Sequence, residues 1–86
     1  MARYELRFKA SVAKDLRGVP HAEIQLILAR LNTLQDDPRP PGSEKLSAQE
    51  RYRLRQGDYR ILYTVADTEK VIEIVKIGHR RDVYRG

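Results

Sequence analysis

The chain has 86 residues and no cysteine, so neither a disulfide nor a thiolate metal site can stabilise it. Hydrophobic residues make up 41% and charged residues 34%, a composition typical of a globular domain and not of a disordered or membrane-spanning chain. The net charge of +5 favours a polyanionic partner. No apolar run approaches ~20 residues, and the start lacks the apolar region of a signal peptide. We therefore expect one cytoplasmic domain, residues 1–86, without a membrane partner.

The first half of the chain predicts one strand and two helices. Residues 4–8 alternate between apolar and charged, as in a half-buried strand. A short helix is expected over residues 11–16, with a serine as its N-cap. A second helix is expected over residues 20–37, because apolar residues recur there at helical spacing and Pro38 disfavours helical geometry in the residue before it.

The second half of the chain predicts three strands. Residues 51–56 and 59–65 alternate in polarity on either side of a tight two-residue turn. Residues 71–77 are rich in β-branched residues and nearly continuous in hydrophobicity, which is typical of a central strand. The order β-α-α-β-β-β predicts an α+β fold, with two antiparallel helices on one face of a mostly antiparallel sheet and the other face open.

The predicted hairpin gathers cations on one face. A two-residue turn pairs Arg55 with Arg60 and Arg53 with Leu62, so the three arginines share the face away from the helices. Like charges directly opposite one another cost stability, and no acidic residue of the hairpin lies on that face. Two interpretations stay open at this point. The guanidinium groups are either simply solvated, or they bind an anion such as phosphate, whose geometry suits them.

The segment after the last predicted strand carries groups suited to RNA chemistry. Gly78 is expected to end that strand, and His79, Arg80, Arg81 and Tyr84 follow. RNA cleavage needs a proton acceptor for the 2′-OH, cations for the charge that develops on the phosphate and a donor for the leaving 5′-oxygen. His79 is the predicted acceptor, with a loop histidine bonded to a carbonyl as the alternative. Tyr84 is expected to stack on a base or to pack against the protein.

Four segments together resemble toxins of the RelE/ParE superfamily from toxin–antitoxin pairs. They are YELRF at 4–8, KL at 45–46, YRLRQGDYRILYTV at 52–65 and IGHRRDVYR at 77–85. The resemblance implies a RelE-like microbial RNase fold. Its RelE branch implies a ribosome-dependent endoribonuclease that cuts mRNA in the A site of the 70S ribosome and inhibits translation. The 2′-OH would be the nucleophile, leaving a 2′,3′-cyclic phosphate and a 5′-OH, with no cofactor and no metal.

The resemblance and the tail chemistry together give a predicted site. RNA binding is assigned to Lys45, Arg53, Arg55 and Arg81, and catalysis is assigned to Arg60, His79, Arg80 and Tyr84. Well-known members of the family have lysines where this chain has two strand arginines, and arginine is a poor proton acceptor because its pKa exceeds ~12. The proton transfer is therefore expected from His79, or from positioning of the 2′-OH by the ribosome.

The resemblance also implies partners. A RelB-like antitoxin is expected to wrap the helices and the sheet edge with an amphipathic segment that folds on binding. Contact with operator DNA is expected only through that antitoxin. Two other functions stay open. A ParE-like toxin uses the same fold against DNA gyrase without needing the cationic site, and a non-catalytic or decayed toxin would bind nucleic acid without cutting it. The complete set of arginines favours the RelE branch.

Overall fold

The computed structural model describes residues 3–46 and 51–83, which form two helices and a five-stranded sheet. The elements are β1 (Glu5–Phe8), α1 (Val12–Leu16), α2 (His21–Leu34), β2 (Glu44–Leu46), β3 (Arg51–Gln56), β4 (Tyr59–Ala66) and β5 (Val71–His79). The strand order is β1-β5-β4-β3-β2, with β1 parallel to β5 and the other neighbours antiparallel. The predicted α+β class and its C-terminal meander are confirmed.

The second helix ends earlier than predicted. α2 stops at Leu34 rather than at Asp37. The backbone N–H groups of Asp36 and Asp37 both donate to the carbonyl oxygen of Thr33 at 3.2 Å, so the chain leaves the helix through a tight turn. Pro38 predicts only that the residue before it is not helical, and the helix had already ended there. Within the described residues, no helix has both the length and the apolar character needed to cross a membrane.

One strand was not predicted, and the strand end that matters most for the site differs from the prediction. β2 was not predicted, because three residues after a proline-rich loop are too few to show a period-2 pattern; it pairs antiparallel with β3. β5 was expected to end at Gly78 but continues to His79. It continues because β4 begins at Tyr59, which lies opposite His79 and gives that residue a partner.

The core lies between the helices and one face of the sheet. From α2 the buried side chains are Ile27, Leu31 and Leu34, and from the sheet they are Leu54, Ile61, Tyr63, Ile72, Ile74 and Ile77. Each such side chain contributes about 1.5–3 kcal/mol relative to an exposed one. Leu28 is one of the apolar residues at helical spacing in α2, but its side chain is 44% exposed and is not part of this core.

A β-bulge in β5 explains why that strand looks continuously hydrophobic. Leu62 pairs with Lys76 but the next residue of β4, Tyr63, pairs with Ile74, so Val75 is an extra residue. The extra residue shifts the alternation by one position. As a result Ile74 and Ile77 both face the helices, although a separation of three residues would place them on opposite faces of a regular strand.

The sheet face away from the helices, which we call the open face, carries the hairpin arginines. Arg55 pairs with Arg60 and Arg53 pairs with Leu62, as predicted. Leu54 and Ile61, which alternate with them, are buried on the helix side. The two-residue turn at Gly57–Asp58 fixes this register.

At the opposite end of the sheet from this turn, a set of polar side chains that we call the Arg39 cluster joins the α2–β2 loop to the β4–β5 turn. It consists of Tyr4, Arg39, Tyr52 and Asp67. Arg39 donates to both carboxylate oxygens of Asp67, at 3.1 and 2.8 Å, and to the hydroxyl of Tyr52 at 2.9 Å. Tyr4 donates its hydroxyl to Asp67 at 2.7 Å. The bonds from Arg39 and Tyr4 lower the pKa of Asp67 to about 2.

Candidate functional site

Arg55 presents an unmatched charge on the open face. It lies directly opposite Arg60, and its side chain is exposed. Within residues 3–46 and 51–83 it makes no hydrogen bond or ion pair. Two cations in opposite positions repel each other, so an anion arriving between them would lower the energy of both.

Arg53 has a carboxylate partner from the neighbouring strand. Glu44 of β2 lies opposite Arg53 and forms an ion pair with it. The sequence prediction considered only the acids of the hairpin, and it missed this pair because β2 was not recognised. The side chain of Arg53 is 20% exposed, so its charge is both partly compensated and less accessible than that of Arg55.

Arg60 is folded back onto the hairpin turn. Its Nη1 donates to the carbonyl oxygens of Gly57 and Tyr59, each at 3.0 Å. These bonds direct the guanidinium group toward the turn and offset part of the repulsion that the pairing predicts. Carbonyl oxygens carry only a partial negative charge, so they do not neutralise the guanidinium group, which can still bind an anion. Arg60 is therefore an oriented cation without a carboxylate among the described residues.

Arg80 reaches the same turn from the C-terminal side. Its backbone N–H donates to the carbonyl oxygen of Asp58 at 2.8 Å, and its Nε lies 3.9 Å from Oδ1 of Asp58. The two side chains are 56% and 66% exposed, so this ion pair contributes little, about 0–1 kcal/mol. The structure thus brings Arg60 and Arg80, which are 20 residues apart in sequence, to one two-residue turn.

His79 lies on the other side of the sheet from the arginines. It pairs with Tyr59, and the two rings meet edge to face with centroids 5.7 Å apart. Tyr59 packs against the core on the helix side. The residue before His79 is Gly78, which lies opposite Arg60 on the open face. The Nδ1 atom of His79 accepts a hydrogen bond from the backbone N–H of Arg81 at 3.2 Å.

The remaining predicted residues are not brought into this arrangement. Lys45 lies opposite Tyr52, so it occupies the face of β2 away from the hairpin arginines. Arg81 is exposed beyond the end of β5, with its backbone bonded to His79. Tyr84 lies outside the described residues, so its predicted role stays a prediction.

Sequence reasoning missed two residues of the open face. Lys76 lies opposite Leu62 and adds a cation to that face; it was overlooked because β5 was interpreted as a uniformly buried strand. Val83 is 4% exposed, and a Cβ atom added at Gly78 would lie 3.6 Å from its Cα and Cβ. The chain after β5 therefore turns back over the open face. The signal in the sequence is a single apolar residue within the polar segment HRRDVYR.

Comparison with known proteins identifies the family of this chain. A model of the family described as "ParE toxin of type II toxin-antitoxin system, parDE" matches residues 6–84. The chain belongs to this toxin family. The RelE/ParE superfamily resemblance noted in the sequence is thereby confirmed, and the protein is a toxin of a toxin–antitoxin system.

Similar proteins include a curated toxin and two solved toxin–antitoxin complexes. This chain is 26% identical over 84 residues to toxin RelG of Mycobacterium tuberculosis, covering 95% of this chain and 97% of the relative. The RelBE2 toxin–antitoxin complex from the same species has a TM-score of 0.80, 23% identity and coverage of 91% of this chain and 99% of that chain. The RelE–RelB complex of Pyrococcus horikoshii has a TM-score of 0.79, 29% identity and coverage of 94% and 99%. The fold is therefore the RelE fold.

Proposed function

We propose that this toxin is a ribosome-dependent endoribonuclease that acts in the cytoplasm on mRNA in the A site of the 70S ribosome. The 2′-oxygen of one nucleotide forms a bond to the adjacent phosphorus, and the bond from phosphorus to the 5′-oxygen breaks. The 2′-OH loses a proton and the leaving 5′-oxygen gains one, so the products are a 2′,3′-cyclic phosphate and a 5′-OH. Loss of intact mRNA then inhibits translation.

The observation that carries this proposal is the meeting of Arg60 and Arg80 at the hairpin turn, next to the unmatched charge of Arg55. Attack by the 2′-oxygen gives a pentacoordinate phosphate, on whose non-bridging oxygens negative charge develops in the transition state. Cations that are already oriented stabilise this charge without reorganising during the reaction. Bonds to two carbonyl oxygens orient Arg60 in this way.

The strand arginines serve binding in this proposal. Arg55, which has no ion-pair partner in the part of the chain that the structure describes, would meet a phosphate of the incoming mRNA, whereas Arg53 stays partly neutralised by Glu44. Neither arginine can accept the 2′-OH proton. We assign part of the rate enhancement to the ribosome, which would hold the 2′-oxygen in line with the scissile bond. Stacking of Tyr84 on a base is part of the proposal.

The proposed partner is a RelB-like antitoxin, through which any contact with operator DNA would be made. The solved relatives from M. tuberculosis and P. horikoshii are complexes of a toxin with its antitoxin. In this toxin, Phe8, Leu26 and Leu28 are 45%, 51% and 44% exposed, and they provide apolar surface near β1 and α2. An amphipathic segment that folds on binding would cover such surface.

The test uses purified toxin, 70S ribosomes and a defined mRNA, with every cleavage position and end group mapped. The expected result is cleavage within the A-site codon that yields 5′-OH ends and requires ribosomes. The test variant is Arg60→Ala, which should lose this cleavage. Arg17→Ala is its matched control, because Arg17 is an exposed arginine at the end of α1 and its loss changes the net charge by the same amount. Intact mRNA together with blocked supercoiling by DNA gyrase would contradict the proposal and identify a ParE-like target.

A further inference from the structure

His79 organises the backbone that follows β5. Its carbonyl oxygen accepts hydrogen bonds from the N–H groups of Asp82, at 2.8 Å, and Val83, at 3.0 Å. Its Nδ1 accepts a third bond, from the N–H of Arg81, at 3.2 Å. The N–H of Arg80 donates to Asp58 at 2.8 Å. All four consecutive N–H groups after His79 are therefore bonded, and three of them bond to His79 itself.

The bond from Arg81 selects one tautomer of the neutral imidazole. An Nδ1 atom that accepts a hydrogen bond carries no hydrogen, so a neutral ring carries its hydrogen on Nε2. In this state Nδ1 is occupied and Nε2 is already protonated. The ring therefore could take a proton from a 2′-OH only at Nδ1, and only by giving up its bond to Arg81.

The surroundings of His79 also disfavour contact with a phosphate. The ring lies on the helix side of the sheet, whereas Arg60 lies on the open face opposite Gly78. Two neighbouring clefts share Tyr59 and His79 in their walls. Besides Tyr59 and His79, the charged or titratable side chains that line them are four carboxylates, Asp15, Glu23, Asp58 and Asp82, and one ammonium, Lys76. Carboxylates outnumber cations around the ring, and such surroundings repel an RNA phosphate.

We propose that His79 is a positioning residue for the cleavage site and not its proton acceptor. Through Nδ1 it closes the turn that places Arg80 beside Asp58 and Val83 against Gly78. The proposal rests on the proposed endoribonuclease function, because Arg80 is one of the cations assigned there. It revises the role that the sequence suggested for His79.

Two substitutions separate the functions of the ring. In His79→Asn the side-chain oxygen can accept from the N–H two residues later, as in an Asx-turn, but the aromatic contact with Tyr59 is lost. In His79→Phe the aromatic contact is kept and the acceptor is lost. If His79 acts through this hydrogen bond, His79→Asn should keep the cleavage activity and His79→Phe should lose part of it.

The expected size of the effect distinguishes positioning from proton transfer. Either substitution keeps the carbonyl of residue 79, so the bonds from Asp82 and Val83 remain and the turn is loosened without being lost. We expect kcat for mRNA cleavage to fall by about tenfold in His79→Phe, as for one lost hydrogen bond, and to stay within about twofold of wild type in His79→Asn. Loss of a proton acceptor would instead lower kcat by about 10²- to 10⁴-fold in both variants.

The experiment measures kcat and KM for ribosome-bound mRNA in wild type, His79→Asn, His79→Phe and the control His21→Asn, with melting temperatures to confirm folding. His21 is the other histidine, exposed at the start of α2. Rescue by Asn with a loss in Phe supports positioning; an equal loss of 10²-fold or more in both variants overturns it.

A second measurement is independent of cleavage. Nitrogen NMR of the imidazole and hydrogen exchange of the Arg81 amide report the bond itself. A neutral ring with its hydrogen on Nε2, and an Arg81 amide protected in wild type and His79→Asn but not in His79→Phe, are expected. A hydrogen on Nδ1, or equal protection of that amide in all variants, overturns the proposal. If wild type does not cleave mRNA at all, the proposed function fails and the cleavage role of His79 fails with it, while NMR still decides whether the bond exists.

Discussion

Two arginine-containing regions lie at opposite ends of the sheet, and they differ in whether a carboxylate compensates the arginine charge. In the Arg39 cluster, one guanidinium group forms two hydrogen bonds with the carboxylate of Asp67 and a third with Tyr52. At the hairpin turn, Arg60 bonds only to carbonyl oxygens, and Arg55 opposite it has no partner in the described part of the chain. The first region joins a loop to the sheet, whereas in the second the described residues supply no carboxylate to Arg55 or Arg60, so an added anion would be stabilised there.

This difference indicates which arginines stabilise the fold and which are available to bind a phosphate. An arginine whose donors are matched by a carboxylate gains little from an incoming phosphate, because that phosphate must first displace the carboxylate. An arginine oriented by carbonyl oxygens is held in place but keeps its charge. Substitutions in the first region should therefore change stability, and substitutions in the second should change cleavage.

The largest expected effect is that of Arg60→Ala on cleavage. Removing an oriented cation from the reacting phosphate should lower kcat by about 10²- to 10³-fold, as for the loss of one donor to a developing negative charge. The melting temperature should change little, because the two bonds of Arg60 are made to the surface of a turn. Single-turnover kinetics on ribosome-bound mRNA measure the first quantity and thermal unfolding measures the second.

The next largest effect is that of Arg39→Met on stability. Methionine keeps an apolar stem over the ring of Tyr52, which lies 5.1 Å from the guanidinium carbon, but it loses the bonds to Asp67. The side chain is 41% exposed, so solvent screening limits the loss to about 1 kcal/mol. Thermal unfolding should show a melting temperature lower by about 4–8 °C. Cleavage by the folded protein should be unchanged, and a cleavage defect without destabilisation would contradict the comparison.

The pH dependence of stability should identify the Arg39 cluster directly. The pKa of Asp67 is lowered to about 2 in the folded protein, so its contribution is fully present above the unfolded pKa of about 4. That contribution is lost as the pH falls from about 4 towards 2. Unfolding midpoints of wild type and Asp67→Asn should therefore converge over this range. Curves that stay parallel down to pH 2 would show that the pair contributes no pH-dependent stability.

The smallest effect is expected for Asp58→Asn at the hairpin turn. The change keeps the size of the side chain and the carbonyl that accepts from Arg80, but it removes a carboxylate 3.9 Å from the Arg80 guanidinium group. Since that carboxylate competes with phosphate, KM for ribosome-bound mRNA should fall by about twofold with kcat unchanged. A rise in KM would show instead that the carboxylate is needed to orient Arg80.

The sequence predicted the open face better than it predicted the tail. Pairing across Gly57–Asp58 places Arg55 opposite Arg60 because a two-residue turn fixes the register of both strands. The partner of Arg53 could not be predicted, since Glu44 lies in a strand of three residues without a readable period. The face occupied by His79 depends on whether β5 ends at Gly78 or one residue later. That boundary depends on pairing with Tyr59, which is a tertiary property.

The central claim is that Arg55 and Arg60, to which the described residues supply no carboxylate, serve mRNA cleavage. The most direct measurement compares Arg60→Ala with Arg39→Met in one assay, on ribosome-bound mRNA, with cleavage positions and 5′-OH ends mapped. The account predicts that Arg60→Ala loses A-site cleavage while remaining folded, and that Arg39→Met cleaves like wild type below its lower melting temperature. Equal cleavage by wild type and Arg60→Ala would contradict the account.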